Sequence, residues 1–290
     1  MDIITNVNDR LKQDINNILH NGFLDENPRP KYADGTPAHT LSVNHVVRQY
    51  DLSSGYLPIT TLRYIAWKSA VKEILWIYQD MSNSLQLLRE KYNVFYWDEW
   101  ESKQQIGTIG QRYGMTVRKY DLMNKLLNEL KNDPFGRRHI IDLWQENDFN
   151  STDGLKPCAF CSIWNVRKQN DEMYLDMLLT QRSGDMLTAS GAGCINEIQY
   201  IILQHLVARH CGYKVGYFTH VVANEQIYDR HKDNAMIMLN RKSVYCEPRL
   251  ILNPEKTNFF DFTIDDIIID GYDKKIIDEI NSQLKFELGI

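Results

Sequence analysis

The chain has 290 residues and a net charge of −5, and 43% of its residues are hydrophobic. Nonspecific nucleic-acid binders carry a strong positive field, so this charge argues against DNA as a partner. No apolar run is long enough for a membrane span or a signal peptide. Five cysteines without framework spacing favour reduced thiols. We therefore expect a cytoplasmic protein that does not bind membranes.

Domain organisation follows from the lack of linkers. No stretch rich in proline, glycine or serine interrupts the sequence, and no period repeats. The hydrophobic residues suffice for one sizeable core. We predict a single domain over residues 1–290.

The first third of the chain contains two predicted helices and a strand. Apolar residues at helical spacing predict a first helix, which Asn6 caps and Asn21-Gly22 ends. A loop over 23–40 leads to a strand over 40–47. A second helix is predicted over 64–78, with the carboxyl group of Glu73 beside its apolar stripe.

The middle of the chain combines loops with short regular elements. Residues 92–114 are rich in Trp, Tyr and Gly, which is typical of ordered loops over a pocket. A helix is predicted over 120–130 and a strand over 139–144.

Two runs, 159–167 and 173–182, flank the turn signal Gln169-Asn170-Asp171 and predict a hairpin. In the second run Met173, Leu175, Met177 and Leu179 alternate inward. Cys158 precedes one strand and Arg182 ends the other, so we expect the thiol and the guanidinium to lie close together. A helix over 196–210 and a strand over 214–222 follow, and the mixture indicates an α+β fold.

Cys158 and Arg182 together suggest covalent chemistry on a phosphorylated small molecule. Cysteine attacks as the thiolate, and a neighbouring cation lowers its pKa, while a guanidinium matches phosphate oxygens bidentately. A buried cysteine beside a surface ion pair is the simpler alternative. Cys158 and Cys161 also have CxxC spacing, but the remaining cysteines provide no second pair for zinc, and both lie at the start of a strand, where redox pairs are unusual.

Many short motifs, in order along the chain, resemble those of the thymidylate synthase family. The motifs are Asp34-Gly35-Thr36-Pro37-Ala38-His39-Thr40-Leu41-Ser42, Glu73-Ile74-Leu75-Trp76, Trp97-Asp98-Glu99-Trp100, Gly107-Thr108-Ile109-Gly110, Tyr113-Gly114, Arg137-Arg138-His139, Leu155-Lys156-Pro157-Cys158, Gln181-Arg182-Ser183 with Asp185, Asn196 with Tyr200, Ile227-Tyr228 with His231, and Phe286-Glu287-Leu288-Gly289-Ile290.

This resemblance implies a mixed twisted sheet covered by helices, with one sheet face forming a homodimer interface. It also implies reductive methylation of dUMP to dTMP. The co-substrate is 5,10-methylenetetrahydrofolate, which leaves as dihydrofolate, and no metal takes part.

The resemblance assigns catalytic roles to five residues. Cys158 would add to C6 of the uracil. Glu73 and Tyr113 would order water near the base, with Glu73 as the proton-relay carboxylate. Asn196 would pair with the pyrimidine edge, since an amide both donates and accepts. Arg182 would bind the phosphate and lower the pKa of the thiol.

The resemblance also assigns binding residues. The dUMP contacts are Arg29, Arg137, Arg138, Arg182 and Ser183 at the phosphate, Asn196 at the base, and Gln226 and Tyr228 at the sugar. Arg137 and Arg138 would reach across the dimer into the partner's site. The folate contacts are Trp97, Trp100, Asp185 and Ile290, and the C-terminal residues would close over both ligands. Trp97 and Trp100 also suit a role as core aromatics.

Two departures from the family pattern concern the pocket. Gln226 stands where a histidine usually contacts the sugar, and the 186–195 connection is about three residues longer than usual. A uracil nucleotide hydroxymethylase and a catalytically weak nucleotide-binding paralogue therefore stay open as alternatives. Five histidines lack ligand spacing and are interpreted as structural. They are His39, His139, His205, His210 and His220.

Overall fold

A computed structural model describes residues 2–289, which form a sheet with helices packed against it. The strands are β1 Phe23–Leu24, β2 Thr40–Asp51, β3 Ile140–Asp142, β4 Ala159–Gln169, β5 Glu172–Gln181, β6 Gly184–Asp185, β7 Lys214–Tyr228, β8 Arg249–Leu252 and β9 Ile267–Asp270. The helices are α1 Val7–Asn21, α2 Trp67–Tyr78, α3 Leu85–Tyr92, α4 Gly114–Tyr120, α5 Leu122–Asn132, α6 Glu146–Ser151, α7 Ile195–Cys211, α8 Lys232–Asn240 and α9 Lys274–Ile280.

The main sheet has the order β1-β2-β7-β5-β4-β3, and β6 pairs with β7. Strand β7 runs parallel to β5 and β6, whereas the other neighbours are antiparallel. Strands β8 and β9 form a separate pair. The mixed sheet and its helices confirm the predicted α+β class.

One face of the sheet carries the core. Helices α1 and α7 pack against this face, and α2 packs against α7. Helix α7 is buried on most of its surface, and its residues Ile198, Ile202 and Leu206 are fully buried. Asn6 caps α1 as predicted, because its side chain accepts hydrogen bonds from the backbone of Asn8 and Asp9.

The predicted hairpin forms, with Ala159 opposite Gln181 and a bulge between Ala159 and Cys161. Leu175 and Leu179 of β5 are fully buried, as their alternation predicts. The intervening side chains, including Leu178, lie on the opposite face and are only half-buried. Within residues 2–289, this partly apolar sheet face therefore stays half-exposed.

Several element boundaries differ from the predictions. Helix α2 begins at Trp67, because the backbone N–H of Ile65 donates to the Tyr272 hydroxyl and holds the preceding residues out of the helix. The helix predicted over 120–130 is the second of two, separated at Asp121, whose φ is 53°. Strand β7 continues to Tyr228, which brings the predicted sugar contacts onto the sheet. Within residues 2–289, no helix is long and apolar enough to cross a bilayer.

Candidate active site

The Cys158 thiol lies at the entrance to β4, beside Arg182. The Nη2 atom of Arg182 is 3.5 Å from Sγ of Cys158. Hydrogen bonds from the guanidinium to the carbonyls of Pro157 and Lys156, 2.9 and 2.8 Å long, fix its position. The hairpin register therefore brings the thiol and the guanidinium together, as the sequence predicts.

Burial and two guanidinium groups have opposite effects on the pKa of the Cys158 thiol. Burial raises the pKa of the thiol above its usual value, although the charges of Arg182 and Arg29 each lower it. The two guanidiniums of one chain therefore do not offset the desolvation of the thiolate. Arg182 thus lowers this pKa, but within one chain the effect of burial is larger, and the depression expected from four arginines, two of them from a partner, stays a prediction.

The remaining predicted phosphate ligands are spread over three loops. Ser183 follows Arg182 and is half-buried, while Arg29 is exposed on the loop before β2. Arg137 and Arg138 are exposed on the turn between α5 and β3. Among residues 2–289, no hydrogen bond or ion pair joins either of them to the Cys158 site. The fold of one chain brings Arg29, Arg182 and Ser183 toward the thiol and leaves the arginine pair outside.

Asn196 lies in the first turn of α7 and is linked to the hairpin through Gln181. Its Oδ1 accepts a hydrogen bond from Nε2 of Gln181 at 3.1 Å, and its Nδ2 donates to Oε1 of Gln199 at 3.0 Å. Because an amide has two protons and two lone pairs, one donor and one acceptor of Asn196 stay free.

Glu73 projects from α2 into an environment that favours its neutral form. Burial raises the pKa of its carboxyl to about 7, against the hydrogen bond from Tyr96, which lowers it. The Tyr96 hydroxyl donates to Oε2 at 2.5 Å. A carboxyl group that titrates near neutral pH is suited to proton transfer.

Tyr113 connects this region to the nucleophile. Its hydroxyl oxygen accepts a hydrogen bond from the backbone N–H of Cys158 at 3.3 Å. The residue has a φ of 46° immediately before α4, a conformation that costs free energy for a non-glycine residue. Helix α4 and the Cys158 loop are thereby joined through a strained tyrosine.

The two tryptophans form an aromatic wall. The ring of Trp97 is only 6% exposed and meets Trp100 and Tyr113 edge to face, at centroid distances of 5.7 and 5.1 Å. The Trp97 Nε1 group is buried and lacks a hydrogen-bond partner among the described residues. Trp97 is therefore a core aromatic with one unpaired donor, and half-buried Trp100 covers its edge.

Asp185, Gln226 and Tyr228 lie side by side, because β6 pairs with the end of β7 and places Asp185 opposite Gln226. Burial raises the pKa of Asp185, although the charge of His231 lowers it. Its Oδ1 is buried without a partner among residues 2–289. Burial, with the charges of Asp185 and Cys158, raises the pKa of Tyr228 to about 12, and a hydrogen bond with Gln226 lowers it.

The described part of the C-terminal segment packs against this cluster. Nε2 of His231 donates to the carbonyl of Glu287 at 2.7 Å, and the ring of Phe286 lies edge to face against His231. A Cβ atom built on Gly289 would lie 2.8 Å from the Tyr228 ring. The predicted folate contact Ile290 lies outside the described residues.

The 186–195 connection is buried and held by two arginines. It begins with a π-helical turn, Met186–Ser190. Arg63 donates to the carbonyls of Leu187 and Thr188 at 2.9 and 3.0 Å, and Arg48 donates to that of Ser190 at 3.0 Å. The connection between Asp185 and α7 is thus held in place by buried hydrogen bonds.

Sequence reasoning missed the side chains that orient the predicted site residues: Tyr96, Gln181, Gln199 and His220. Tyr96 directly precedes the Trp97 motif, and Gln181 is the first residue of the Gln181-Arg182-Ser183 motif, so the motifs indicated this neighbourhood but not the orienting role of either side chain. His220 gives no signal in the sequence, because its partners come from other elements. Residues 2–289 contain no cluster of three or more His, Cys, Asp or Glu side chains suited to a metal ion.

Comparisons with known proteins agree on one family. A family model described as thymidylate synthase matches residues 10–285. A thymidylate synthase of Streptococcus pneumoniae (strain 70585) is 50% identical over 280 residues, which cover 96% of this chain and 97% of that protein. A thymidylate synthase of Streptococcus gordonii is 49% identical over the same coverage. The solved structure of the thermostable thymidylate synthase A from Bacillus subtilis covers 99% of this chain and 100% of its own, with a TM-score of 0.86 at 34% identity. The chain belongs to the thymidylate synthase family of methyltransferases.

Proposed function

We propose that this chain converts dUMP to dTMP by reductive methylation, with Cys158 as the nucleophile that adds to C6 of the uracil. The choice of Cys158 as the nucleophile rests on one observation. Its thiol lies 3.5 Å from the Arg182 guanidinium, beside the hydrogen-bonded pair Gln181 and Asn196. The relatives named above are thymidylate synthases, and nothing in the comparisons favours the hydroxymethylase or the weak paralogue.

The phosphate of dUMP would bind Arg182, Arg29 and Ser183. Arg182 is positioned for this by its backbone hydrogen bonds, and a guanidinium binds phosphate oxygens in pairs. Asn196 would accept from N3–H of uracil and donate to O4 with its remaining lone pair and proton. Gln226 and Tyr228 would contact the sugar hydroxyl from the end of β7.

Addition of the thiolate to C6 makes C5 nucleophilic, and the C5 proton must later leave. Glu73 is the proposed proton acceptor through ordered water, since its pKa of about 7 permits both protonation states near neutral pH. Tyr113 would hold the Cys158 backbone while the bond forms.

The folate would lie against Trp97, Trp100 and Asp185. The unpaired Oδ1 of Asp185 and the unpaired Nε1 of Trp97 fit a ring system with many donors and acceptors. When bound, 5,10-methylenetetrahydrofolate supplies the one-carbon unit and the hydride. The C-terminal segment, with Ile290, would exclude water.

We place the enzyme in the cytoplasm, as a homodimer whose interface is the half-exposed sheet face that carries Leu178. The raised pKa of Cys158 supports the dimer, because one chain supplies too little positive charge to stabilise the thiolate. Arg137 and Arg138 from a partner would add two cations. Their exposure in the single chain is consistent with that role.

The activity test mixes the protein with dUMP and 5,10-methylenetetrahydrofolate and follows dihydrofolate by absorbance and the nucleotide by mass. We expect dTMP and dihydrofolate in equal amounts. A hydroxymethyl product with tetrahydrofolate would assign the chain to the hydroxymethylases. Tight dUMP binding without turnover would assign it to the nucleotide-binding paralogues.

The covalent step is tested by Cys158→Ser, because a hydroxyl is a much weaker nucleophile than a thiolate at neutral pH. We expect turnover to be abolished while the Kd for dUMP stays close to that of the wild type. Cys211→Ser, at the far end of α7, is the matched control and should keep full activity. A Cys158→Ser enzyme with a tenth or more of wild-type activity would exclude the mechanism.

A further inference from the structure

The side-chain amide of Gln181 has only one orientation that satisfies its neighbours. Its Nε2 lies 3.0 Å from the carbonyl oxygen of Ser183 and 3.1 Å from Oδ1 of Asn196. A backbone carbonyl only accepts hydrogen bonds, so the NH₂ group must face Ser183. The Oε1 atom therefore faces Nε2 of His220 at 3.1 Å.

His220 consequently has an acceptor on each side. Its Nε2 must donate to Gln181, and its Nδ1 lies 3.0 Å from Oε1 of Glu197. That carboxylate already accepts from the backbone N–H of Gly193 and the hydroxyl of Tyr50, each at 2.7 Å. Although burial raises the pKa of Glu197, hydrogen bonding from His220 and the charge of Arg48 leave it below its usual value.

Both ring nitrogens of His220 therefore have to donate, which requires the imidazolium form. Burial and the charge of Arg48 lower the pKa of His220, and its hydrogen bond to Glu197 and the charge of that carboxylate only partly offset them, so the cationic form follows from the positions of its two acceptors and not from this pKa. A neutral ring would set a bare nitrogen against an acceptor on one side. A buried pair of facing lone pairs is costly in a low-dielectric interior.

Three carboxyl groups lie near the cations of this cluster, although burial raises the pKa of one of them, Glu225, to about 7 against the opposing charge of Arg48. Arg48 is fully buried and contacts Asp14 at 2.7 Å, Glu197 at 3.4 Å and Glu225. Arg10 forms a second ion pair with Asp14, at 2.7 Å. With the imidazolium included, three cations face three carboxyl groups. They are Arg10, Arg48 and His220 against Asp14, Glu197 and Glu225.

The same chain of contacts fixes the amide of Asn196. Its Oδ1 accepts from Gln181 and its Nδ2 donates to Gln199, whose own Nε2 donates to the carbonyl of Ala70 at 3.4 Å. Asn196 thus keeps one acceptor and one donor for the base. This pair matches N3–H and O4 of uracil, whereas cytosine presents a bare N3 and an amino group there.

We propose that His220 is a specificity-determining positioning residue, which donates from both ring nitrogens and so orients Gln181, and through it Asn196, to select uracil over cytosine. This inference rests on the proposed contact between Asn196 and the base. Rotation of the Asn196 amide would exchange its donor and acceptor and favour cytosine. The contact between His220 and Gln181, which lie 39 residues apart in sequence, opposes that rotation.

The first test measures Kd for dUMP and for dCMP, together with kcat and KM for dUMP, in His220→Phe. Loss of both donors leaves Oε1 of Gln181 unpaired, so we expect the preference for dUMP over dCMP to fall about tenfold or more, with KM raised more than kcat is lowered. His205→Phe replaces a half-buried histidine of α7 whose ring, within residues 2–289, bonds only the Ile201 carbonyl, and should leave the preference unchanged.

His220→Gln serves where the phenylalanine variant does not fold. Its single NH₂ group can replace one of the two donors, so the preference should fall between the wild type and the full loss. An unchanged preference in both His220 variants would overturn the positioning role. If Asn196→Ala itself leaves the preference unchanged, the proposed base contact fails, and the role of His220 fails with it.

The second test needs no substrate, so its result bears on the role of His220 independently of the proposed dUMP methylation. Two-bond ¹H–¹⁵N correlation spectra of the ¹⁵N-histidine-labelled protein at neutral pH report the state of each ring nitrogen, and His220 is identified by its absence from the His220→Phe spectrum. We expect both nitrogens of His220 to be protonated. A neutral ring, with one bare nitrogen, would overturn the inference even in an active enzyme.

Discussion

At the residue scale, the reaction places opposite demands on two buried acids. The pKa of Cys158 is raised by burial, and the thiolate needs cations that one chain does not supply. The pKa of Glu73 is also raised by burial, to about 7, and this shift suits a group that must take up and release a proton. The same desolvation therefore hinders the nucleophile and assists the proton relay.

We predict that kcat falls as the pH drops through about 7, because the protonated Glu73 carboxyl cannot accept the C5 proton. Tyr96→Phe removes a hydrogen bond that lowers this pKa, so the acidic limb of the pH profile should move to higher pH. Glu73→Gln should lower kcat at least about a hundredfold and abolish the limb.

The control for this profile is Tyr92→Phe, which removes a comparable hydroxyl that donates to Asp80 away from the site. Its pH profile should match that of the wild type. An acidic limb that stays in place in Tyr96→Phe would mean that another group controls it.

At the element scale, the 186–195 connection is closely packed against the first third of the chain. Gly193 has a φ of 67° and donates its N–H to Glu197. A Cβ atom at this position would lie 2.6 Å from the backbone nitrogen of Thr60 and 2.6 Å from Cγ2 of Val7. Both contacts are far inside van der Waals distance, so α1 and the segment before α2 confine this turn.

Gly193→Ala should therefore lower the free energy of unfolding by about 2–4 kcal/mol, from backbone strain and overpacking together. Gly212→Ala is the matched control, since Gly212 has a φ of 75° but no heavy atom within 4 Å of the added methyl. It should cost only about 1 kcal/mol. Urea denaturation of both variants measures the difference, and equal losses would contradict the crowding.

The sequence predicted the elements whose patterns are local. The α1 cap, the β4–β5 hairpin and the proximity of Cys158 and Arg182 follow from spacing alone, and the family motifs indicated most of the candidate site. The break at Asp121 and the late start of α2 depend on a positive φ and on the distant Tyr272. The orientation of Asn196 depends on His220, which no local pattern links to it.

At the scale of the whole molecule, the proposed homodimer implies that each site draws on both chains. Neither Arg137 nor Arg138 bonds to the Cys158 site within one chain, and the sheet face that carries Leu178 is only half-buried. Heterodimers assembled from two inactive variants can therefore contain one intact site.

We predict that Cys158→Ser and Arg138→Ala are each nearly inactive alone but regain activity when unfolded and refolded together. Half of the dimers in an equal mixture are heterodimers with one intact site, so about a quarter of the wild-type specific activity should return. Each variant refolded alone is the control. Failure to regain activity, or a solution mass equal to the 34.1 kDa of one chain, would contradict the shared site.

The buried Arg48 cluster also bears on the order of folding. Its partners Asp14, Glu197 and Glu225 lie 34, 149 and 177 residues away along the chain. Such contacts form only after most of the chain has assembled, since long loops must close first. We therefore expect the cluster to be absent from the folding transition state. Its loss would then accelerate unfolding and leave the folding rate almost unchanged, so this cluster makes the native enzyme kinetically long-lived.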